Sequence, residues 1–137
     1  MPNCKIDVDA SPTFKRLLES HRKQFPKLLS DIIEALGRIQ QDYRKAAGAD
    51  AIPGFNQTVW KYRCKCSDLR QGTQGGIRII AYYNAELGTL YPITFYFKRD
   101  QSDISKEAVQ KIVDELLSFF SPTLLGCLFC NLFSFLG

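Results

Sequence analysis

Apolar residues recur at three- and four-residue spacing through the first third of the chain and then switch to alternation, which predicts helices followed by strands. Residues Cys4 to Val8 alternate apolar and charged positions, enough for a short first strand. Ser11 followed by Pro12 marks a helix start, a capping side chain before a residue preorganised for the first turn. Phe14, Leu17, Leu18 and His21 then share one helical face. Pro26 ends that helix or opens a second one, whose apolar face is Leu29, Ile32, Ile33, Leu36, Ile39 and Tyr43. The run KAAGADAIPGF carries glycine and proline into a loop.

Beyond that loop the period is two. VWKYRCKC sends Trp60, Tyr62, Cys64 and Cys66 to one side and Val59, Lys61, Arg63 and Lys65 to the other. The glycine-rich SDLRQGTQGG connects to IRIIAYYN, and AELGT connects that strand to LYPITFYFK. In the last run Tyr91, Ile93, Phe95 and Phe97 form an apolar face, with Thr94, Tyr96 and Lys98 opposite. Pro92 cannot donate to a ladder, so it implies an edge, a bulge or a strand that begins near Ile93. Ser105 is placed to cap a final helix with Val109, Ile112, Val113, Leu116 and Leu117 on its apolar stripe, and Glu107 in its first turn suits the helix dipole. The fold class that follows is α+β: two N-terminal helices packed on a small antiparallel β-sheet, plus a C-terminal helix. The domain is expected to span residues 1–117, with an apolar tail over 118–137.

Length agrees with one domain, since 137 residues bury one core and seldom two. The formal charge of +4 is too small to prove a polyanionic partner, but its placement changes the picture. Lys61, Arg63, Lys65, Arg70 and Arg78 stand against Asp68 alone between Val59 and Arg78, a localised positive patch.

Five cysteines and no secretory pattern at the N-terminus point to reduced thiols in a cytoplasmic protein. A zinc site from Cys64, Cys66, Cys127 and Cys130 is set aside, because the first pair has the wrong spacing for a knuckle and the second lies in the apolar tail. From Leu117 to Gly137 no residue is charged. The length approaches a membrane span, but Pro122, Gly126, Asn131 and three serines weaken a single helix, so a partner-covered or poorly ordered tail ranks ahead of an anchor.

A basic strand face is ordinarily a solvated surface. Here hairpin pairing brings Arg78 and Tyr82, then Tyr96 and Lys98, to the side that carries Lys61, Arg63 and Lys65, interleaving cations with phenols suited to phosphates and bases. Cleaving RNA through its own 2′-hydroxyl needs a base, an acid for the leaving 5′-oxygen, and cations for the phosphorane charge. One histidine excludes a two-histidine mechanism, and no tight carboxylate cluster suggests a two-metal nuclease. Lysine, arginine and tyrosine remain, with His21 read as structural.

Between Phe14 and Leu117 the chain resembles type II toxins of the RelE/ParE superfamily, particularly the HigB/RelE-like ribosome-dependent mRNA interferases. The resemblance rests on the F..LL element at Phe14 to Leu18, the IPG turn at Ile52 to Gly54, VWKYRCKCSDLRQG, GGIRIIAYYN and ITFYFKRDQSDIS, in that order. It implies an endoribonuclease without metal or cofactor, working on mRNA in the ribosomal A site. A cognate antitoxin silences it, and operator DNA is reached only through that antitoxin. Arg63 and Arg78 match the phosphate-gripping positions, Lys98 the base or acid, with Tyr96 beside it. Lys61, Lys65, Arg70 and Tyr82 are expected to hold RNA. The chain departs from the pattern at Thr73 and Gln74, where relatives commonly carry a basic residue, and at Ala81, where they carry an aromatic one. Two alternatives stay open: a gyrase-inhibiting ParE-like toxin, and an inactive homologue acting only in an antitoxin and operator complex.

Overall fold

A computed structural model describes residues 4–70 and 76–118. The chain divides into two compact units, Met1–Ile104 and Ser105–Gly137. Among the described residues there are three α-helices and a five-stranded mixed sheet, an α+β arrangement.

In the first unit the order is β1 (Lys5–Ile6), α1 (Pro12–His21), α2 (Leu28–Gln41), β2 (Asp50–Ala51), β3 (Val59–Cys64), β4 (Ile77–Asn84) and β5 (Thr89–Phe97). Across the sheet the strands run β1-β5-β4-β3-β2. The three central strands are the antiparallel ones that alternation predicts; β1 joins β5 in parallel, which makes the sheet mixed and larger than expected. Helices α1 and α2 pack on one face, α1 against β5 and α2 against β3. The core between them holds Phe14, Ile32 and Ile39 with Tyr62, Cys64, Ile77, Ile79, Phe95 and Phe97. Burying aromatic and β-branched side chains on that face is the main favourable term for the unit. It also leaves the other face of β3 and β4 to carry Lys61, Arg63 and Arg78.

Three expectations are corrected. On α2 the buried stripe is Leu28, Asp31, Ile32, Ala35 and Ile39, whereas Leu29 and Ile33 are 50% and 59% exposed. Leu28, Ile32, Ala35 and Ile39 follow the helical period against the sheet, and Leu29 and Ile33 fall on the flank of that stripe. Ser11 precedes α1 but makes no side-chain cap; instead the Asp7 carboxylate accepts the Asp9 and Ala10 N–H groups. Strand β5 begins at Thr89 and not near Ile93, and a bulge lies where Ile80 faces Thr94 and Ala81 faces Pro92.

The bulge leaves Ile93 without an opposite residue and reverses the phase of the strand. Leu90 therefore joins the core with Phe95 and Phe97, and Tyr91 faces Tyr82 on the other side. Pro92 lies beyond the reach of β1, which pairs only with Thr89 and Leu90, so its missing N–H breaks no ladder on that side.

Two acidic side chains tie α2 to the turn that follows β3. Buried Asp31 accepts from the Ser67 backbone N–H at 2.8 Å and from the Ser67 hydroxyl at 2.7 Å, and Asp68 accepts the Lys27 N–H at 2.9 Å. Asp68 thereby satisfies a donor at the α2 N-terminus that no local residue caps.

In the second unit, residues 106–118 form α3. Ser105 Oγ accepts the Ala108 N–H at 3.1 Å, the predicted cap, and Val109, Val113 and Leu116 are buried. Residues 119–137, and with them nearly all of the expected apolar tail, lie outside the described residues, as do Thr73 and Gln74. Among the described residues no helix is long and apolar enough to cross a membrane.

Candidate RNA-binding cleft

Register assembles the site. Arg63 on β3 stands directly opposite Arg78 on β4, and Arg78 stands directly opposite Tyr96 on β5. Directly opposed residues point to the same side of a sheet, so three strands deliver two guanidinium groups and one phenol to a single row. Lys61 sits two residues before Arg63 on the same face. Lys98 follows the end of β5, where its backbone N–H donates to Gly76 O at 2.9 Å.

Lys61, Arg63, Arg78 and Lys98 line one cleft of about 170 Å³, together with Gly48 and Asp50. Asp50 enters through β2, where it pairs with Lys61. Gly48 has φ +65°, and a Cβ built there falls 2.9 Å from Arg63 Cδ. The turn before β2 therefore lies against the Arg63 side chain, where a β-carbon strains the left-handed backbone and must push that side chain aside.

Tyr96 is buried beside this cleft, with its hydroxyl 3.4 Å from Asp103 Oδ1. The same carboxylate oxygen accepts from Lys61 Nζ at 3.2 Å and from the Ile104 N–H at 2.8 Å. Lys98 Nζ donates to Ser102 O at 3.1 Å. One short loop after β5 thus supplies acceptors to Lys61, Tyr96 and Lys98.

Burial pushes the Tyr96 phenol up to about 12; the Asp103 charge adds to the effect and Arg78 opposes it. The phenol is therefore a protonated donor at neutral pH. Asp103 is held below the usual carboxylate range, first by the Ile104 N–H and, against some desolvation, by Lys61. Burial and the neighbouring Arg63 charge lower the pKa of Arg78 from its ordinary value.

Of the eight residues singled out from sequence, Lys61, Arg63, Arg78 and Lys98 line the cleft and Tyr96 adjoins it. The other three lie elsewhere. Lys65 pairs with Glu34 on α2 at 3.1 Å, drawn there because β3 ends at Cys64. Arg70 closes the turn after β3 in a left-handed conformation, φ 55°. Tyr82 shares the face of Arg78 but lies four residues along β4, roughly 13 Å away at the strand repeat, opposite Val59 and Tyr91.

Asp50 and Asp103 escape a reading by periodicity. Asp50 lies in a two-residue strand and Asp103 in a polar loop, and neither has a local pattern that points to the cleft. His21 belongs to the helical side, where Nδ1 lies 3.0 Å from Leu17 O and the ring packs near Phe97 with centroids 5.1 Å apart. Cys4, Cys64 and Cys66 are free and buried, and among the described residues no group of three or more His, Cys, Asp or Glu is placed to hold a metal ion.

No protein-family model matches the chain, and no curated protein matches it.

Proposed function

We propose that the cleft binds an RNA phosphate and cleaves the chain at the neighbouring 2′-hydroxyl, and that the protein is a type II toxin acting on mRNA at the ribosome under control of an antitoxin. The observation that carries this reading is the row of Arg63, Arg78 and Tyr96 across three strands, flanked by Lys61 and Lys98 in one cleft. Motif order in the sequence supports the family.

The chemistry assigns roles by charge and position. Arg63 and Arg78 hold the non-bridging oxygens and stabilise the extra negative charge of the phosphorane. Asp50, the carboxylate that lines the cleft, takes the proton of the 2′-hydroxyl as its oxygen attacks phosphorus. The bond to the 5′-oxygen breaks, and the Lys98 ammonium returns a proton to that leaving oxygen. The products are a 2′,3′-cyclic phosphate and a free 5′-hydroxyl, with no net change in protons.

The test is induction of the full chain in cells followed by mapping of 5′ ends on translated mRNA, with Arg78→Ala and Lys98→Ala as controls. Codon-phased cuts are expected for the parent alone. Cuts that persist unchanged in both variants overturn the site, and a supercoiling defect without cuts moves the reading to the gyrase-inhibiting branch.

A further inference from the structure

The loop from Lys98 to Ile104 is ordered by its own hydrogen bonds. The Asp100 and Gln101 N–H groups both donate to Phe97 O, at 2.9 and 3.2 Å, and Gln101 Nε2 donates to Asp103 O at 2.9 Å. The Ile104 N–H then fixes the Asp103 carboxylate at 2.8 Å. A side chain held by backbone donors has little rotamer freedom left, so whatever it touches is placed with it.

What Asp103 touches belongs to the cleft. Its Oδ1 lies 3.2 Å from Lys61 Nζ and 3.4 Å from the Tyr96 hydroxyl. A stability role accounts poorly for this arrangement. The Asp103 side chain is 66% exposed, and an exposed ion pair contributes little against solvent screening and side-chain entropy. A negative charge set against a cationic cleft also weakens the attraction for a polyanion, so its presence there is a cost to binding. Direction is what remains. Lys61 shares this carboxylate oxygen with the phenol, and without a fixed acceptor its four-carbon stem samples many positions.

We propose that Asp103 is a positioning residue of the cleft, fixing through one carboxylate oxygen both the Lys61 ammonium and the Tyr96 phenol in the directions that meet an RNA phosphate. The inference rests on the ribonuclease reading for its substrate, but the contact itself is testable without RNA. The phenol distance is long for a hydroxyl donor, and catalytic contacts of this kind tighten when substrate is bound.

The experiment uses the full chain and a ribosome-programmed mRNA, with a double-mutant cycle over Asp103→Ala and Tyr96→Phe and a conservative variant, Asp103→Asn. Asp103→Ala is expected to lower kcat about tenfold, the factor set by one hydrogen bond, with KM changed less than about twofold. Asp103→Asn keeps an acceptor for the Ile104 N–H and the phenol, and recovers most of the rate. In the Tyr96→Phe background the Asp103→Ala change has a smaller further effect, the part carried through Lys61, because the phenol it positions is already gone. Additive losses, or an Asn variant no better than Ala, overturn the proposal.

A second measurement needs no RNA. The ultraviolet difference between the parent and Tyr96→Phe reports the titration of this phenol, which lies at about 12 and is expected to fall in Asp103→Ala while staying above the ordinary tyrosine value through burial. If no variant cleaves mRNA and the titration still moves, the ribonuclease reading fails and the positioning contact stands. A titration that does not move overturns the positioning whatever the RNA assay gives.

Discussion

Arg63 and Arg78 face each other directly across the β3–β4 ladder, two like charges in one cross-strand pair. Such a pair destabilises a sheet by roughly 0.2–1 kcal/mol, and burial of Arg78 leaves it less water to screen the repulsion. An anion seated between the two removes that penalty. Arg63→Gln is therefore expected to raise the melting temperature slightly at low ionic strength. Inorganic phosphate stabilises the parent, by about 2.7 kcal/mol at one hundred times its dissociation constant, and does not stabilise the variant. Thermal melts in phosphate against matched chloride decide it; equal stabilisation of both proteins removes Arg63 from the anion site.

Gly48 is the second lever on Arg63. Gly48→Ala forces a β-carbon at φ +65° and against Arg63 Cδ, so it costs stability of about 1 kcal/mol and displaces the guanidinium. Affinity for a short RNA oligonucleotide, measured by fluorescence anisotropy, is expected to fall several-fold. Gly88→Ala is the control: φ is +62° but nothing lies within 4 Å, so the backbone cost appears without loss of RNA affinity. Equal effects at both glycines separate Gly48 from the cleft.

Urea denaturation tests which α2 residues face the sheet. Asp31→Ala leaves the Ser67 N–H and hydroxyl without their charged acceptor and is expected to cost about 2–3 kcal/mol. Ile32→Ala opens the core, at about 2–5 kcal/mol. Leu29→Lys on the exposed flank changes stability by no more than about 0.5 kcal/mol. A large loss at Leu29 with none at Ile32 contradicts the observed rotation of the helix.

Alkaline stability follows from three buried acids. Burial pushes the Cys64 thiol from 9.0 to about 12 and Tyr96 from 10.0 to about 12, and it raises Tyr62 further. Each group holds its proton more tightly when folded. Its contribution is therefore complete below the unfolded pKa and lost as pH rises through the folded one. The urea midpoint is expected to fall steadily from about pH 9 to pH 12, and Tyr96→Phe to flatten the upper part of that slope. At pH 8, iodoacetamide with peptide mapping is expected to leave Cys64 unmodified in the folded protein and to label it fully in urea. A flat alkaline profile shows that these groups ionise freely in the native state.

Sequence period sufficed wherever one face was long and one-sided. On β3 the alternation of Trp60, Tyr62 and Cys64 against Lys61 and Arg63 settles which side is core, because a slip of one residue exposes three large apolar groups. Ser105 and the α3 stripe were legible for the same reason: cap and period are local properties. Local spacing failed on α2, whose seven apolar residues fit more than one stripe, so that only the sheet selected Leu28, Ile32, Ala35 and Ile39 over the face centred on Leu29 and Ile33. At Pro92 the missing donor implies an edge, a bulge or a late start, and the bulge is what the strands form, but the start near Ile93 is wrong, since where a bulge falls is a relation between two strands.

The candidate site divides in the same way. That Lys61, Arg63 and Arg78 share a face was determined by the sequence alone, through the two-residue repeat of an extended chain and the apolar residues that must point the other way. Tertiary structure decided the rest. It set Arg63 opposite Arg78 and Arg78 opposite Tyr96, and brought Asp50 in on a two-residue edge strand. It folded the loop after β5 back so that Asp103 reached Lys61, and drew Lys65 away to Glu34. The physical reason is range: alternation is set by neighbours on the chain, whereas register, edge pairing and ion pairs between distant residues exist only once the strands have been laid side by side.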